Sequence, residues 1–201
     1  MTKRHSIKML DAAYHYRKFC EAVGIDTSKP DTQQTPMRVA RLFTNEFTEG
    51  QRPMPFNFTT FDAAGKDLVC VCGVRFVSIC AHHHLPMFGY AHFCYLPDKC
   101  IAGLSKIPRL IKWAAKQPSV QEELTHHVLQ EFVKVLKPFY AGLALTAQHT
   151  CMSCRGINDH EARMTTTALY ARGGNLTKYD SAKSEFLAAI DLWYKSRTAM
   201  A

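Results

Sequence analysis

The chain has 201 residues, a hydrophobic content of 47% and a charged content of 21%, values that are ordinary for a soluble globular protein. This length allows one domain, or one domain with a helical extension. No apolar run approaches the roughly 20 residues that a membrane span needs. The polar N-terminus argues against a secretory signal, so we expect a cytoplasmic protein without a membrane partner.

The formal net charge of +8 predicts an anionic partner. The Lys and Arg residues are scattered, and no run of five or more forms a basic arm of the kind that binds nucleic acid. A polyanionic small molecule suits this charge equally well. The charge alone therefore leaves both kinds of partner open.

The N-terminal quarter is predicted to be helical. Apolar residues recur at helical spacing over 6–24: Ile7, Leu10, Tyr14, Phe19 and Val23. Thr35-Pro36 is a strong start for a second helix. That helix is expected to turn four residues inward: Val39, Leu42, Phe43 and Phe47. A proline-rich connector then separates an N-terminal helical extension, residues 1–55, from a domain of residues 56–201.

The rest of the chain alternates between strand and helix patterns. Strands are predicted at 67–80, 87–96, 141–149 and 164–171, and helices begin near Ser105, at Ser119 and at Asp180. This order predicts an α+β core, in which helices lie on one face of an antiparallel sheet. Such a small sheet has open edges, which favours edge-to-edge assembly of several chains.

Three of the eight cysteines have histidine neighbours and are candidate metal ligands. The other five lie in apolar patterns and are expected to pack as small hydrophobic residues: Cys20, Cys70, Cys72, Cys94 and Cys100. Cys80 and His83 have the spacing of a ligand pair, and Cys151 offers a third donor. Three ligands would leave a position open for water, whereas Cys154 as a fourth would close the site. The alternative is a set of buried thiols beside surface histidines.

Segment 103–109 is a candidate anion site because it opens a helix, whose free N–H groups and positive dipole end favour a phosphate. Lys106 and Arg109 would add positive charge there, and Ser105 stands at the cap position. The same residues also suit an ordinary capped helix with solvated bases. This motif alone is weak support for binding.

Segment 119–122 matches a capping box, which explains Glu122 without any functional role. Arg38 and Arg41 lie three residues apart on one face of a helix, an arrangement that is common at a protein surface. A function for these residues needs support from elsewhere in the chain.

Taken together, these segments resemble those of GTP cyclohydrolase I, the zinc enzyme that opens pterin biosynthesis. The family's motifs are Cys-Glu-His-His, Gly-Leu-Ser-Lys-x-x-Arg, Gln-x-Gln-Glu-x-Leu-Thr, His-x-Cys-x-x-x-Arg-Gly and a Thr-rich strand. This chain carries their counterparts in the same order at 80–83, 103–109, 120–125, 149–156 and 165–167. The resemblance runs from Thr35 to the last helix.

The resemblance implies three zinc ligands: Cys80, His83 and Cys151. It gives no ligand role to Cys154, which agrees with an open site. His82 and His149 correspond to catalytic histidines. Gln121 and Glu122 fall at the position that recognises guanine.

The resemblance also implies contacts with the triphosphate: Ser105, Lys106, Arg109 and Arg155. Arg38 and Arg41 are expected to join them from a neighbouring subunit. The implied fold is a T-fold (tunnelling fold), a core of antiparallel strands with two helices on one face. Two pentamers would stack into a homodecamer with active sites between subunits, an assembly that also allows allosteric regulation.

The implied reaction converts GTP into 7,8-dihydroneopterin triphosphate and formate without a redox cofactor, as the first step of pterin, folate or deazaguanine biosynthesis. His149 would protonate N7 of the guanine during opening of its imidazole ring. Ser105 and His82 are candidates for the later proton transfers. Zinc would lower the pKa of a water molecule toward about 7.

Two residues depart from the family pattern. Ala81 stands where the family has Glu beside a zinc ligand, and His84 replaces an apolar residue. Loss of a carboxylate next to a metal ligand typically lowers metal affinity or activity by about 10–100-fold. The alternative function is therefore a weakened or inactive homologue.

Three alternative functions are considered. A nitrile reductase of the queuosine pathway shares the implied fold but would need NADPH and a lone catalytic Cys. A closed zinc ribbon that binds nucleic acid is favoured only by the net charge and by Cys151-x-x-Cys154. A zinc nucleobase deaminase would need H-x-E and P-C-x-x-C motifs, which this chain lacks. We expect GTP, and not nucleic acid, as the partner.

Overall fold

The computed structural model describes residues 3–199, with side chains from residue 8 onward. The helices in this range are α1 (Lys3–Ala22), α2 (Thr35–Asn45), α3 (Lys106–Ala114), α4 (Gln121–Leu136), α5 (Thr150–Ser153) and α6 (Asp180–Thr198). The strands are β1 (Thr60–Asp62), β2 (Val69–Cys80), β3 (Pro86–Leu96), β4 (Cys100–Ala102), β5 (Pro118–Ser119), β6 (Tyr140–His149) and β7 (Met164–Ala171). None of these helices combines the length and hydropathy that crossing a bilayer requires.

The main sheet has five strands in the order β5-β2-β3-β6-β7. Neighbouring strands run antiparallel, except that the two-residue β5 lies parallel to the end of β2. β1 and β4 form a separate pair. The predicted α+β core of antiparallel strands is therefore confirmed. The predicted capping role of Ser119 is wrong, because Ser119 lies in β5 and Val120 occupies the cap position of α4 without a side-chain capping bond.

Helices α3 and α4 cover one face of the sheet, as predicted. The rings of Phe93 and Tyr95 in β3 point to this face, with centroids 4.5 and 5.0 Å from that of Phe132 in α4. Leu110 and Ile111 of α3 are fully buried in the same core. This packing fixes the start of α4, and thus Gln121 and Glu122, beside the ends of β2 and β6.

The last helix, α6, covers the opposite face of the sheet. Successive residues of a strand point to opposite faces, so His92 and Cys94 face away from Phe93. The ring centroid of His92 lies 4.8 Å from that of Trp193 in α6, and Cys94 packs in one cluster with Phe186. The prediction of two helices on one face therefore holds for α3 and α4, and α6 adds a helix on the other face. Its sequence pattern predicts a helix but not the face of the sheet that it covers.

His92 is enclosed beneath the C-terminal half of α6. Its side chain is 1% exposed, and neither ring nitrogen has a hydrogen-bond partner within the part of the chain that the structure describes. Burial lowers the pKa of His92 to about 4. The imidazole is therefore neutral near pH 7.

Helices α1 and α2 pack against each other through Met9, Ala13 and Ala40. The apolar residues that define the helical pattern of α1 face away from this contact and are each more than half exposed: Leu10, Tyr14, Phe19 and Val23. Ile7 lies outside the described side chains. In α2, Leu42 is exposed, contrary to its predicted inward position, because Ala40 occupies the buried side.

Candidate active site

Cys80 and His83 are brought together by the tight turn between β2 and β3. The backbone N–H of Cys80 donates to the carbonyl of Leu85 at 2.9 Å, and the N–H of His84 donates to the carbonyl of Cys80 at 2.9 Å. His84 takes the left-handed backbone conformation, with φ of 52°, that closes the turn. The Sγ atom of Cys80 then lies 3.9 Å from Nδ1 of His83.

Cys151 reaches the same place from a distant part of the sequence. β6 runs antiparallel to β3 with His149 opposite Met87, so the end of β6 meets the start of β3. Thr150 opens the short helix α5 and fixes it by donating its hydroxyl to the carbonyl of Pro86 at 2.6 Å. One ligand atom from each of three side chains lies within 4.8 Å of the others: Cys80, His83 and Cys151.

This donor set fits zinc. Two thiols and one imidazole suit a borderline-soft divalent cation, and three protein ligands leave a fourth position for water or substrate. Burial raises the pKa of the Cys151 thiol, and the neighbouring Cys80 raises it further. A bound cation would reverse this effect, because a coordinating thiol loses its proton. The expected ligand set is therefore brought together by the fold.

Cys154 lies outside this group. Its side chain is exposed, and its backbone N–H donates to the carbonyl of Thr150 at 2.9 Å, one turn beyond Cys151. The five cysteines expected to pack as hydrophobic residues are buried or half-buried free thiols. Among the described residues the group thus has three ligands, which is the open arrangement.

His149 lies beside the cysteine-histidine group, and its position is fixed by Gln121. The Nε2 atom of His149 is 2.8 Å from the Oε1 atom of Gln121. Burial lowers the pKa of His149, and the nearby Glu122 carboxylate partly opposes this. The Gln121 side chain is 1% exposed. The implied contact between this side chain and guanine stays a prediction.

A cavity of about 270 Å³ joins these groups. Its lining contains most of the residues expected to bind the metal, to transfer protons or to recognise guanine: Cys80, His82, His83, Gln121, Glu122, His149 and Cys151. It also contains Ser119, Val120 and Met164, which sequence reasoning missed. The Ser119 hydroxyl is buried without a hydrogen-bond partner among the described residues. Only its pairing beside Cys80 in the sheet reveals that it lies here.

The residues expected to contact the triphosphate lie outside this cavity. Ser105 stands at the cap position of α3 without a side-chain capping bond, and Nζ of Lys106 lies 5.8 Å from the centre of the Phe56 ring. Arg155 is close enough to Cys151 to lower the pKa of that thiol slightly. Three further side chains of the predicted set are exposed: Arg38, Arg41 and Arg109. A single chain does not gather these cations around the cavity.

The side chain of Ala81 points to solvent, whereas its backbone N–H donates to the carbonyl of Ser119 at 3.2 Å. His84, the other departure from the family pattern, places its ring 5.5 Å from that of Phe43 in α2. The turn that carries Cys80 and His83 is thus supported by backbone bonds and by α2.

Comparison with known proteins agrees with the motifs. A family model described as GTP cyclohydrolase I matches residues 12–191. The chain is 37% identical to a GTP cyclohydrolase 1 of Sulfurihydrogenibium sp. over 87% of its length and 91% of the relative's. It is 36% identical to a GTP cyclohydrolase 1 of Aquifex aeolicus over 87% of its length and 92% of the relative's.

Among solved structures, the archaeosine synthase QueF-Like in the apo form aligns with 53% of this chain and 95% of its own, at 14% identity and a TM-score of 0.44. That likeness is too weak to carry a conclusion. The family match and the relatives of similar length are decisive, and the relatives bear the name of an enzyme. The chain therefore belongs to the GTP cyclohydrolase I family.

Proposed function

We propose that this protein is a zinc-dependent GTP cyclohydrolase I that converts GTP and water into 7,8-dihydroneopterin triphosphate and formate. The observation that carries the proposal is the meeting of Cys80, His83 and Cys151 in one cavity with His149 and Glu122. Such a cavity combines a metal site, a proton donor and a carboxylate, which are the groups that hydrolysis of a guanine ring needs.

Cys80, His83 and Cys151 would hold the zinc. When bound, zinc would lower the pKa of a water molecule toward about 7 and so make a nucleophile available at neutral pH. His149 would deliver a proton to N7 of guanine as the bond to C8 is hydrolysed. Glu122 would accept hydrogen bonds from the ring N–H and the amino group. Ser105 and His82 are proposed for proton transfers after ring opening.

The size of the cavity supports active sites shared between subunits. At about 270 Å³ it falls just below the usual range of about 300–1,000 Å³ for ligand pockets, and it can take a purine ring but not a whole nucleotide. We propose that the triphosphate lies outside it, with cations that a neighbouring chain helps to supply: Ser105, Lys106, Arg109, Arg155, Arg38 and Arg41. The T-fold decamer, the domain boundary after residue 55 and a cytoplasmic location belong to the same proposal.

Incubation of the zinc-loaded protein with GTP, followed by oxidation, tests this function. We expect a fluorescent neopterin product and stoichiometric formate. Glu122→Ala should abolish this turnover without changing the zinc content, because a site built to pair the donors of guanine discriminates strongly through them. Glu123→Ala is the matched control, since Glu123 is the next exposed carboxylate in the first turn of α4 and lies outside the cavity. Absence of neopterin from the unaltered protein would refute the proposal.

A weakened homologue is the second candidate, because no carboxylate follows Cys80 and the Ala81 side chain points to solvent. Under this alternative Ala81→Glu would raise turnover about tenfold or more. Equal turnover of the two proteins would show that this chain needs no carboxylate at position 81.

A further inference from the structure

We propose that Gln121 is a positioning residue that holds His149 in one tautomer, with the proton on Nε2, and leaves Nδ1 as the nitrogen that exchanges protons. The hydrogen-bond network around the Gln121 amide carries this inference. Its meaning for catalysis rests on the proposed function.

The orientation of the Gln121 amide is set by acceptors on two strands. Its Nε2 atom lies 3.0 Å from the carbonyl of Leu145, 3.1 Å from that of Met164 and 3.0 Å from the hydroxyl oxygen of Thr166. Carbonyl oxygens only accept hydrogen bonds, so the amide nitrogen must face them. A flipped amide would place its oxygen against two carbonyl oxygens in a buried site, which is costly.

The neighbouring hydroxyls are consistent with this orientation. The Thr125 hydroxyl donates to the backbone carbonyl of Gln121 at 2.7 Å, and its oxygen lies 2.6 Å from that of Thr166. Thr166 therefore donates to Thr125 and accepts from the Gln121 amide. The two amide protons have three acceptors within reach and each hydroxyl proton has one, so every proton in this network is satisfied in this orientation.

The oxygen of Gln121 is thus left facing Nε2 of His149 at 2.8 Å. An amide oxygen cannot donate, so His149 must provide the proton in that bond. Neutral His149 then carries its lone pair on Nδ1, for which the described part of the chain offers no hydrogen-bond partner. Since a neutral imidazole has one donor and one acceptor nitrogen, Nδ1 is the nitrogen that first takes up a proton from the cavity and only then can give one to a ligand there.

Selective labelling tests the assignment. The zinc-loaded protein with ¹⁵N-histidine is studied by solid-state NMR near neutral pH, and the His149 signals are identified by their absence from His149→Ala. We expect the Nε2-protonated form alone in the unaltered protein and a mixture of tautomers in Gln121→Met. Predominance of the Nδ1-protonated form in the unaltered protein would overturn the proposal, and so would an unmixed Nε2 form in Gln121→Met.

Kinetics separate positioning from direct contact with guanine. Gln121→Met should lower kcat about 10–100-fold, the usual cost of losing a residue that orients a functional histidine, with KM for GTP and zinc content unchanged. A raised KM with unchanged kcat would instead assign Gln121 to substrate binding and contradict the proposal.

Two further variants distinguish positioning of His149 from a general disturbance of the buried network. Thr125→Val removes a hydroxyl from the same buried network without touching His149, so the tautomer should stay and kcat should change less than about twofold. In Gln121→Glu we expect a neutral carboxylic acid, because three acceptors surround the position of the amide nitrogen. Its other oxygen still faces Nε2 of His149, so this variant should show the same tautomer as the unaltered protein. The spectra report the tautomer without any turnover. If the protein is inactive with GTP, the proposed function is refuted, but the spectra still test the tautomer assignment.

Discussion

Cys151 and Cys154 are three residues apart, but their surroundings differ. Cys151 lies within ligand distance of Cys80 and His83, whereas Cys154 is exposed one helical turn away. We expect Cys151→Ser to lose zinc, because three-ligand sites rarely survive the loss of a thiolate. Cys154→Ser should keep about one zinc per chain.

Metal analysis after dialysis checks both variants, and the oligomeric state of each is measured in parallel to confirm folding. Loss of zinc from Cys154→Ser would mean that the ligand set is wrong and the site is closed.

The three metal ligands can be predicted from the sequence because the patterns that identify them are local. Cys80 and His83 are three residues apart, and the surrounding motifs identify Cys151 as their partner. The role of Gln121 is different. Its amide is bound by carbonyls that lie 24 and 43 residues later in the chain, and only the register of β6 against β7 brings those acceptors together. No local pattern can reveal such a network.

At the scale of elements, the docking of α6 depends on a glycine in β2. Gly73 lies at an irregularity in the pairing of β2 with β3, between Val71 and Val74, and has φ of 78°. A Cβ atom on Gly73 would come within 2.2 Å of Nε1 of Trp193. The indole therefore packs directly onto the strand where no side chain intervenes.

Gly73→Ala should destabilise the protein through both the left-handed backbone and this collision. Gly174→Ala is the matched control, since Gly174 also has φ of 78° but has no atom within 4 Å of a Cβ position. Each change costs about 1–2 kcal/mol for the backbone, and Gly73→Ala should cost about 1–3 kcal/mol more through steric strain. Denaturant unfolding at one fixed protein concentration measures the difference. Equal destabilisation by the two changes would contradict the packing of Trp193 onto Gly73.

The same elements mark the limit of prediction from sequence. The long strands and the helices α3, α4 and α6 follow from periodic patterns, and their order gives the α+β layout. The two-residue β5 has no pattern of its own, and its pairing with Ile79 and Cys80 comes from the fold. The position of α6 is likewise decided by the shape of the sheet at Gly73, which no helical periodicity contains.

At the scale of the whole molecule, a single chain leaves apolar and backbone groups uncovered. Among the described residues β7 has no strand on its outer side, and four apolar side chains within or just after α1 are more than half exposed: Leu10, Tyr14, Phe19 and Val23. Open strand edges favour pairing with another chain. We therefore expect a decamer of roughly 230 kDa, ten times the protomer mass, in closed symmetry.

Light scattering after size-exclusion chromatography measures this mass. A stable monomer at micromolar concentration would exclude active sites shared between subunits.

The enclosed imidazole of His92 gives the whole protein a sensitivity to acid. In the folded chain its pKa is about 4, whereas in an unfolded chain it is about 6.5. Between these values the unfolded state binds the proton more tightly, so the free energy of unfolding falls as the pH drops from about 6.5 to about 4. The full shift corresponds to about 3 kcal/mol.

Protonation of His92 would place a charge beneath Trp193 and Tyr194, whose rings lie 4.8 and 5.5 Å away. Acid should therefore release the C-terminal half of α6 before it unfolds the sheet, and hydrogen exchange in α6 would detect this. In His92→Phe the fall in stability between pH 6.5 and 4 should be smaller by most of that amount. An identical pH dependence in the two proteins would mean that acid acts elsewhere. If the dependence differs as expected, a buffer that approaches pH 4 will loosen the last helix during purification or storage.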